Sequence, residues 1–179
     1  MHRSGFINII GNPNVGKSTL MNNLVGEKLS IITSKAQTTR HRILGIVNGD
    51  NFQLIFSDTP GIIKPSYELQ DSMMDFVKSA LEDADVLLYM VEIGEESIKD
   101  SQVHNKIQSN KIPSIILLNK IDLSNQEYIE NQINIWSSKY PDTEIYPISA
   151  LNNFNIEKVI NKIIELIPES PPYFPKDQL

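Results

Sequence analysis

The sequence predicts an α/β fold: a three-layer α/β/α arrangement around a six-stranded, mostly parallel sheet with one antiparallel edge strand. Three observations carry that prediction. Short apolar segments alternate with longer segments of helical period along most of the 179 residues. Two of the apolar segments, Val86–Val91 and Ile115–Leu118, are unbroken runs, as strands covered on both faces of a parallel sheet must be. Asn48-Gly49, between two apolar stretches, signals a single tight hairpin and hence an antiparallel strand.

The elements follow in order. Phe6–Ile10 reads as a strand leading into a helix over Lys17–Val25. Arg42–Asn48 and Phe52–Ser57 form the hairpin, and in the second arm Phe52, Leu54 and Phe56 alternate with Gln53, Ile55 and Ser57 at period two. Leu69, Met73, Val77, Ala80 and Leu81 share one helical face. Then come a strand at Val86–Val91, a helix over Ile98–Ser109 and a strand at Ile112–Leu118. A helix over Gln126–Tyr140, a strand at Glu144–Ile148 and a helix over Ile156–Ile167 complete the alternation. Residues 1–168 are thereby expected to form one domain. In 169–179, prolines at 171, 172 and 175 continue from Pro168 and exclude a helix, because proline lacks the amide donor. A frayed terminus and an interdomain linker fit this tail equally.

Bulk properties narrow the function classes. The composition, 40% hydrophobic and 21% charged, is that of a globular chain long enough for one core. A formal net charge of −6 argues against holding nucleic acid by bulk electrostatics. The absence of cysteine removes disulfides, thiolate metal sites and cysteine nucleophiles. Phe6–Ile10 is too short for a signal-peptide core, and no apolar run approaches spanning length. The expectation is a soluble, cytoplasmic protein.

Gly11-Asn12-Pro13-Asn14-Val15-Gly16-Lys17-Ser18 fits G-x-x-x-x-G-K-[ST] between a strand and a helix. Gly11 and Gly16 let the backbone curl so that successive amides point at phosphate oxygens. The helix beginning near Lys17 aims the positive end of its dipole at the same anion. Lys17 supplies a point charge to the β- and γ-phosphates, and the Ser18 hydroxyl suits Mg2+. Asn12, Pro13, Asn14, Val15 and Thr19 complete the expected phosphate cradle. The motif places the chain among P-loop NTPases but does not choose between ATP and GTP.

Two further segments make that choice. Asn119-Lys120-Ile121-Asp122 follows an apolar strand at the carboxyl edge, where open α/β sheets bind ligands. A carboxylate at Asp122 accepts two hydrogen bonds from the N1 and N2 donors of guanine, a pair that adenine lacks. The Lys120 stem can cover the base, Asn119 can tie this loop to the phosphate loop, and Ser149-Ala150 can supply an amide to guanine O6. Asp58-Thr59-Pro60-Gly61 reads alone as a strand-ending turn. Beside a phosphate loop it puts Asp58 where a carboxylate reaches Mg2+ through water, and the Gly61 amide near the γ-phosphate.

In this order the segments resemble the translation-factor class of GTPases, which implies a Ras-like G domain. Lys35-Ala36-Gln37-Thr38-Thr39-Arg40-His41-Arg42, with the phosphate loop and Asp58-Thr59-Pro60-Gly61, resembles the Era family of bacterial ribosome-associated GTPases. Gly5, Phe6 and Phe174-Pro175 are also similar to that family. The resemblance implies a first switch at Lys35–Arg42, with Thr39, or as the second choice Thr38, closing on Mg2+ and the γ-phosphate. It implies a second switch from Thr59 to about Glu68, catalysis resting on Lys17, Thr39 and Gly61, and Mg2+ held by Ser18, Thr39 and Asp58. Asn14 becomes a candidate K+ ligand beside the phosphates, against the alternative that it only shapes the loop.

Two departures limit what carries over. Era proteins continue into a KH domain that holds small-subunit 16S ribosomal RNA, and none follows here, so the expectation is the GTPase half alone, monomeric. Any peripheral membrane association would belong to the full-length protein only. Ile62 stands where Ras-type enzymes carry a water-orienting glutamine, a substitution that Era relatives share. Slow intrinsic hydrolysis follows, on the order of 10⁻⁴ to 10⁻² s⁻¹. Two rivals stay open: a GTP/GDP binding switch with negligible hydrolysis, and a related ribosome-assembly or tRNA-modifying GTPase. His2 and His104 read as surface positions, Trp136 as a packing anchor, and Lys158 with Lys162 as a solvated helix face.

Overall fold

The apolar run near the start of the chain becomes the middle of the sheet. The computed structural model describes residues 1–12, 14–30, 42–58 and 84–175. Its strands are β1 (Arg3–Ile10), β2 (Leu29–Ser30), β3 (Arg42–Asn48), β4 (Phe52–Asp58), β5 (Val86–Glu92), β6 (Ser114–Asn119) and β7 (Glu144–Pro147). They lie in the order β2-β3-β4-β1-β5-β6-β7. From β4 to β7 every neighbouring pair is parallel, and β3 runs antiparallel to β4. These are the six strands expected from the sequence. Beyond them, two-residue β2 adds to the outer side of β3, antiparallel to it.

Four helices are described: α1 (Lys17–Lys28), α2 (Ser101–Ser109), α3 (Gln126–Lys139) and α4 (Ile156–Leu166). They cover both faces of the sheet. Leu20 and Met21 of α1 and Ile156, Val159 and Ile163 of α4 pack on Ile7, Ile9, Leu88, Met90, Ile115 and Leu117. Val103 and Ile107 of α2 and Trp136 of α3 pack on Leu87, Tyr89, Val91, Ile116 and Leu118 on the other face. β5 and β6 are therefore buried on both sides, as their unbroken apolar runs require. Each buried side chain of this size stabilises by roughly 1.5–3 kcal/mol, so these two layers contribute most of the packing on the central strands. Trp136 is the anchor its position suggested: it is fully buried, and its Nε1 donates to the Glu95 carbonyl at 2.9 Å.

Local signals explain where boundaries shift. α2 begins at Ser101 rather than Ile98 because the Asp100 carboxylate caps it, accepting from the amides of Gln102 (2.9 Å) and Val103 (3.1 Å). β6 begins at Ser114, after Pro113, which has no amide to give the ladder. The hairpin loop is Gly49-Asp50-Asn51, closed by the Gly49 amide on the Phe52 carbonyl at 2.9 Å; Asn48 remains in the ladder. The helix expected around Leu69–Leu81 lies outside the described residues.

The tail through Pro175 is not frayed. Pro168 accepts from the Ser4 amide at 3.3 Å, and the Ser170 amide donates to His2 at 3.0 Å. Gln53, fully buried, receives the amides of Tyr173 (2.8 Å) and Phe174 (3.1 Å) on its Oε1. Its Nε2 donates to Phe174 O and Asn48 Oδ1, both at 2.9 Å. Phe174 packs with Phe6 on Ile43, Ile46 and Ile55, and the Phe6 and Tyr173 rings lie 5.0 Å apart. This explains why β4, which alternates at period two, is buried on both faces: the tail covers the second one. The histidines are also not the free surface positions expected. His2 Nδ1 donates to the Ser170 carbonyl at 2.8 Å, and His104 Nδ1 lies 2.6 Å from the Tyr140 hydroxyl.

Candidate nucleotide-binding site

Parallel strands bring their carboxyl ends to one edge of the sheet, and the sequence motifs sit there. Ile9 is level with Asp58, and Glu92 with Asn119, so the residues that end β4, β5 and β6 border the loop that leaves β1. In that loop Asn14 (φ 73°) and Gly16 (φ 110°) take left-handed backbone conformations. Gly16 is required twice over: its φ favours glycine, and a Cβ there would run into the Asn119 amide. At Gly11 a Cβ would meet the Met90 carbonyl oxygen at 2.6 Å. Val15 is buried beneath the loop, while Asn14 and Ser18 are exposed and Asn12 and Thr19 half-buried. α1 starts at Lys17, so the free amides of its first turn open onto the same space.

Lys17 and Asp58 stand together, Nζ to Oδ1 at 3.2 Å, with under a fifth of each side chain exposed. The carboxylate keeps the ammonium at the mouth of the loop. Among the described residues no group of three His, Cys, Asp or Glu could hold a metal ion. One carboxylate (Asp58) and one exposed hydroxyl (Ser18) are nevertheless a hard-oxygen donor set. That set fits Mg2+, which binds through one or two protein oxygens plus phosphates rather than a protein cage.

The segments expected to read guanine are joined to the phosphate loop by the Asn119 amide. Its Nδ2 donates to Val15 O at 2.7 Å and its Oδ1 accepts from the Ala150 amide at 2.9 Å. Asn119 is 3% exposed, so both bonds are shielded from water and hold three loops in register. Lys120 is left-handed (φ 70°), and its Nζ donates to the Asn14 carbonyl at 2.9 Å. Asp122 accepts from the Ser149 hydroxyl at 2.8 Å on one oxygen, and the residue is exposed. Ser149 and Ala150 follow β7, buried, with the Ile148 amide bonded to Leu118 O at 2.8 Å. A carboxylate fixed on one oxygen and exposed beside a bound backbone turn can accept from two donors on the edge of a purine.

The structure thus brings together Asn12, Asn14, Val15, Gly16, Lys17, Ser18, Thr19, Asp58, Asn119, Lys120, Asp122, Ser149 and Ala150. Pro13, Thr39, Gly61 and Ile62, and both expected switches except Arg42, lie outside the described residues. Two contacts were not anticipated. Asn23 on α1 donates its amide to the Ala150 carbonyl, and Glu92 bonds Lys120 Nζ at 3.3 Å. Glu92 did carry a signal: it is a carboxylate ending an apolar strand at the same edge as Asn119. Asn23, a polar residue on a helix, carried none.

Comparison with known proteins agrees with this geometry. Residues 6–120 match the family described as 50S ribosome-binding GTPases. The chain is 42% identical to Era of Aquifex aeolicus in a structure bound to GDP·AlF4⁻, with a TM-score of 0.80, covering 98% of this chain and 61% of that one. It is equally 42% identical to Era in complex with MgGDPNP and nucleotides 1506–1542 of 16S ribosomal RNA, with a TM-score of 0.81, covering 99% of this chain and 61% of that one. Elongation factor SelB of Methanococcus maripaludis, bound to GppNHp, shares the fold at 22% identity and a TM-score of 0.66, covering 93% of this chain and 34% of that one. The chain spans 61% of the length of the two Era structures it matches. By its motifs, its sheet order and this match, the chain belongs to the 50S ribosome-binding GTPase family and is an Era-like G domain.

Proposed function

We propose that this domain binds GTP at the carboxyl edge, hydrolyses it slowly, and serves as a molecular switch in maturation of the small ribosomal subunit. The observation that carries the guanine reading is Asp122, held on one side by Ser149 and in the same loop as Asn119, which bonds the phosphate loop and Ala150 at once. A base seated on Asp122 therefore places its phosphates against Lys17 and the loop amides. The ribosomal role rests on the Era relatives, one of which is in complex with a 16S ribosomal RNA segment. RNA contact in this reading belongs to a KH domain following the tail, not to this acidic domain.

Catalysis on this reading is in-line attack of water on the γ-phosphate, driven by positioning and charge neutralisation. Lys17 and the amides of the loop and first turn of α1 hold the β- and γ-phosphate oxygens. Ser18, Asp58 and Thr39 would hold Mg2+, which when bound neutralises charge on the β- and γ-phosphate oxygens. Thr39 and the Gly61 amide would complete the γ-phosphate contacts. With Ile62 in sequence after Gly61, no side chain of the motif orients the water, so turnover is slow. K+ at Asn14 is a separate element of the proposal, resting on resemblance: hydrolysis in KCl should exceed that in NaCl, and equal rates would remove it.

Single-turnover phosphate release with wild type and Lys17→Ala tests the whole reading. The expected result is slow release, on the order of 10⁻⁴ to 10⁻² s⁻¹, abolished by the substitution. A partner-free rate near 1 s⁻¹ (order of magnitude) would sink the slow-enzyme reading. Tight GTP binding without release above the Lys17→Ala background would make the domain a binding switch alone.

A further inference from the structure

We propose that Glu92 is a positioning residue for the nucleotide base, acting through Lys120. The inference rests on the nucleotide site proposed above. Glu92 ends β5 level with Asn119, so its carboxylate meets the loop after β6 from the side. Lys120 Nζ donates to Glu92 Oε1 at 3.3 Å and to the Asn14 carbonyl at 2.9 Å. Two anchors, one at the end of β5 and one on the phosphate loop, therefore decide where the ammonium stands, and with it the path of the four-carbon stem.

The need for the second anchor is electrostatic. An ammonium beside a nucleoside triphosphate is attracted to the phosphate oxygens, and a neutral carbonyl offers weak opposition. Were Lys120 to swing toward the phosphates, its stem would leave the plane of the base. The Glu92 carboxylate supplies the opposing charge and holds the stem where the base seats. Lys120 is already in a left-handed backbone conformation, unfavourable for a non-glycine residue, which favours a position defined by outside contacts.

The carboxylate is not what folds its own turn. The turn after β5 is held by the Glu95 amide on Glu92 O at 3.0 Å and by Trp136 Nε1 on Glu95 O. Gln132 Nε2 on Glu96 Oε2 at 2.9 Å adds to it. None of these uses the Glu92 side chain, so a variant there keeps the turn and loses only the anchor.

The test is dissociation of fluorescent GDP from the 179-residue chain, for wild type, Glu92→Ala and Glu92→Gln, at low and high ionic strength. The pair is part-exposed, 31% at Lys120 and 43% at Glu92, which sets a modest expectation. Glu92→Ala should release GDP about two- to five-fold faster at low salt, the range of an exposed ion pair. Glu92→Gln, which keeps the oxygen acceptor but not the charge, should recover part of that difference. Raising salt should shrink the difference in release rate between wild type and the alanine variant, whatever common change it makes to both. Melting temperatures should agree among the three, which a purely structural role would not allow. Equal release rates at low salt, or a difference that salt does not shrink, would overturn the proposal. Failure of wild type to hold GDP would overturn the site reading itself and this proposal with it, a result distinct from either.

Discussion

At the amino edge of the sheet Gln53 uses every hydrogen-bonding position it has; at the carboxyl edge Asp122 uses one oxygen and leaves the other exposed. Gln53 donates twice and accepts twice, is fully buried, and joins the tail to the β3–β4 hairpin. Around it the Arg3 guanidinium caps the end of α4, donating to the carbonyls of Ile164, Glu165 and Ile167 at 3.3, 2.9 and 3.2 Å. The carboxyl edge holds left-handed Asn14, Gly16 and Lys120, with Ser18 and Asp122 open to solvent. Saturated polar groups fix a structure, whereas groups with capacity left, on backbone held in strained conformations, are equipped to take a ligand.

Substitutions that move one edge without the other are the way to break that contrast. The largest effect should come from Asp122→Asn. Losing a charged acceptor for two guanine donors should weaken GTP binding by about 100-fold, from hydrogen bonds of about 1.5–3 kcal/mol each. The new amide should favour xanthosine triphosphate, whose base carries an oxygen at that position. Competition binding measures both, and retained GTP preference would remove Asp122 from base reading.

Gln53→Ala should do the reverse. It leaves the Tyr173 and Phe174 amides without their acceptor and should cost about 2–3 kcal/mol of unfolding free energy in urea. GTP affinity should stay at the wild-type value; a parallel loss would show that the two edges are coupled.

Gly16→Ala is smaller and centred on the site. A left-handed conformation costs alanine about 1–2 kcal/mol, and the added methyl displaces the Asn119 amide. That strain falls on the folded chain and should lower the melting temperature by about 2–8 °C, while displacement of the Asn119 amide that links the loops should weaken nucleotide binding, read by titration calorimetry.

The smallest expected effect lies between the edges. Asn8, in the middle of β1, is fully buried, and among the described residues neither of its side-chain polar atoms has a hydrogen-bond partner. Asn8→Leu should raise stability by about 1 kcal/mol, because an unpaired buried amide is replaced by apolar volume. A loss of stability would mean that leucine's shape cannot be accommodated there.

Much of this was legible in the chain because the signals were local. Val86–Val91 and Ile115–Leu118 announced strands buried on both faces, and glycine spacing announced the phosphate loop. A tie from Asn119 to the phosphate loop was also expected, and its partner there is the Val15 carbonyl. What could not be read were contacts between residues far apart in sequence. The period-two alternation put Gln53 on one face with Ile55 and Ser57 but could not show that residues 173 and 174 return to bond it. Proline content spoke against a helix in the tail but said nothing about where the tail would dock. Asn23 and Glu92 bear no motif, and their partners lie 127 and 28 residues away.

By itself, then, the sequence determined the layer architecture, the nucleotide class and the edge of the sheet at which chemistry would gather. Periodicity, glycine placement and the donor pattern of guanine act over a few residues and need no knowledge of the rest. The tertiary structure alone decided that the tail through Pro175 packs on the body of the domain and that Lys120 is held from two sides. Those outcomes depend on which strands become neighbours, and β1 meets β4 and β5 only after the chain has crossed over between them. The phosphate loop was visible from the start, but the carboxylate that steadies its neighbour appeared only when β5 came to lie beside β6.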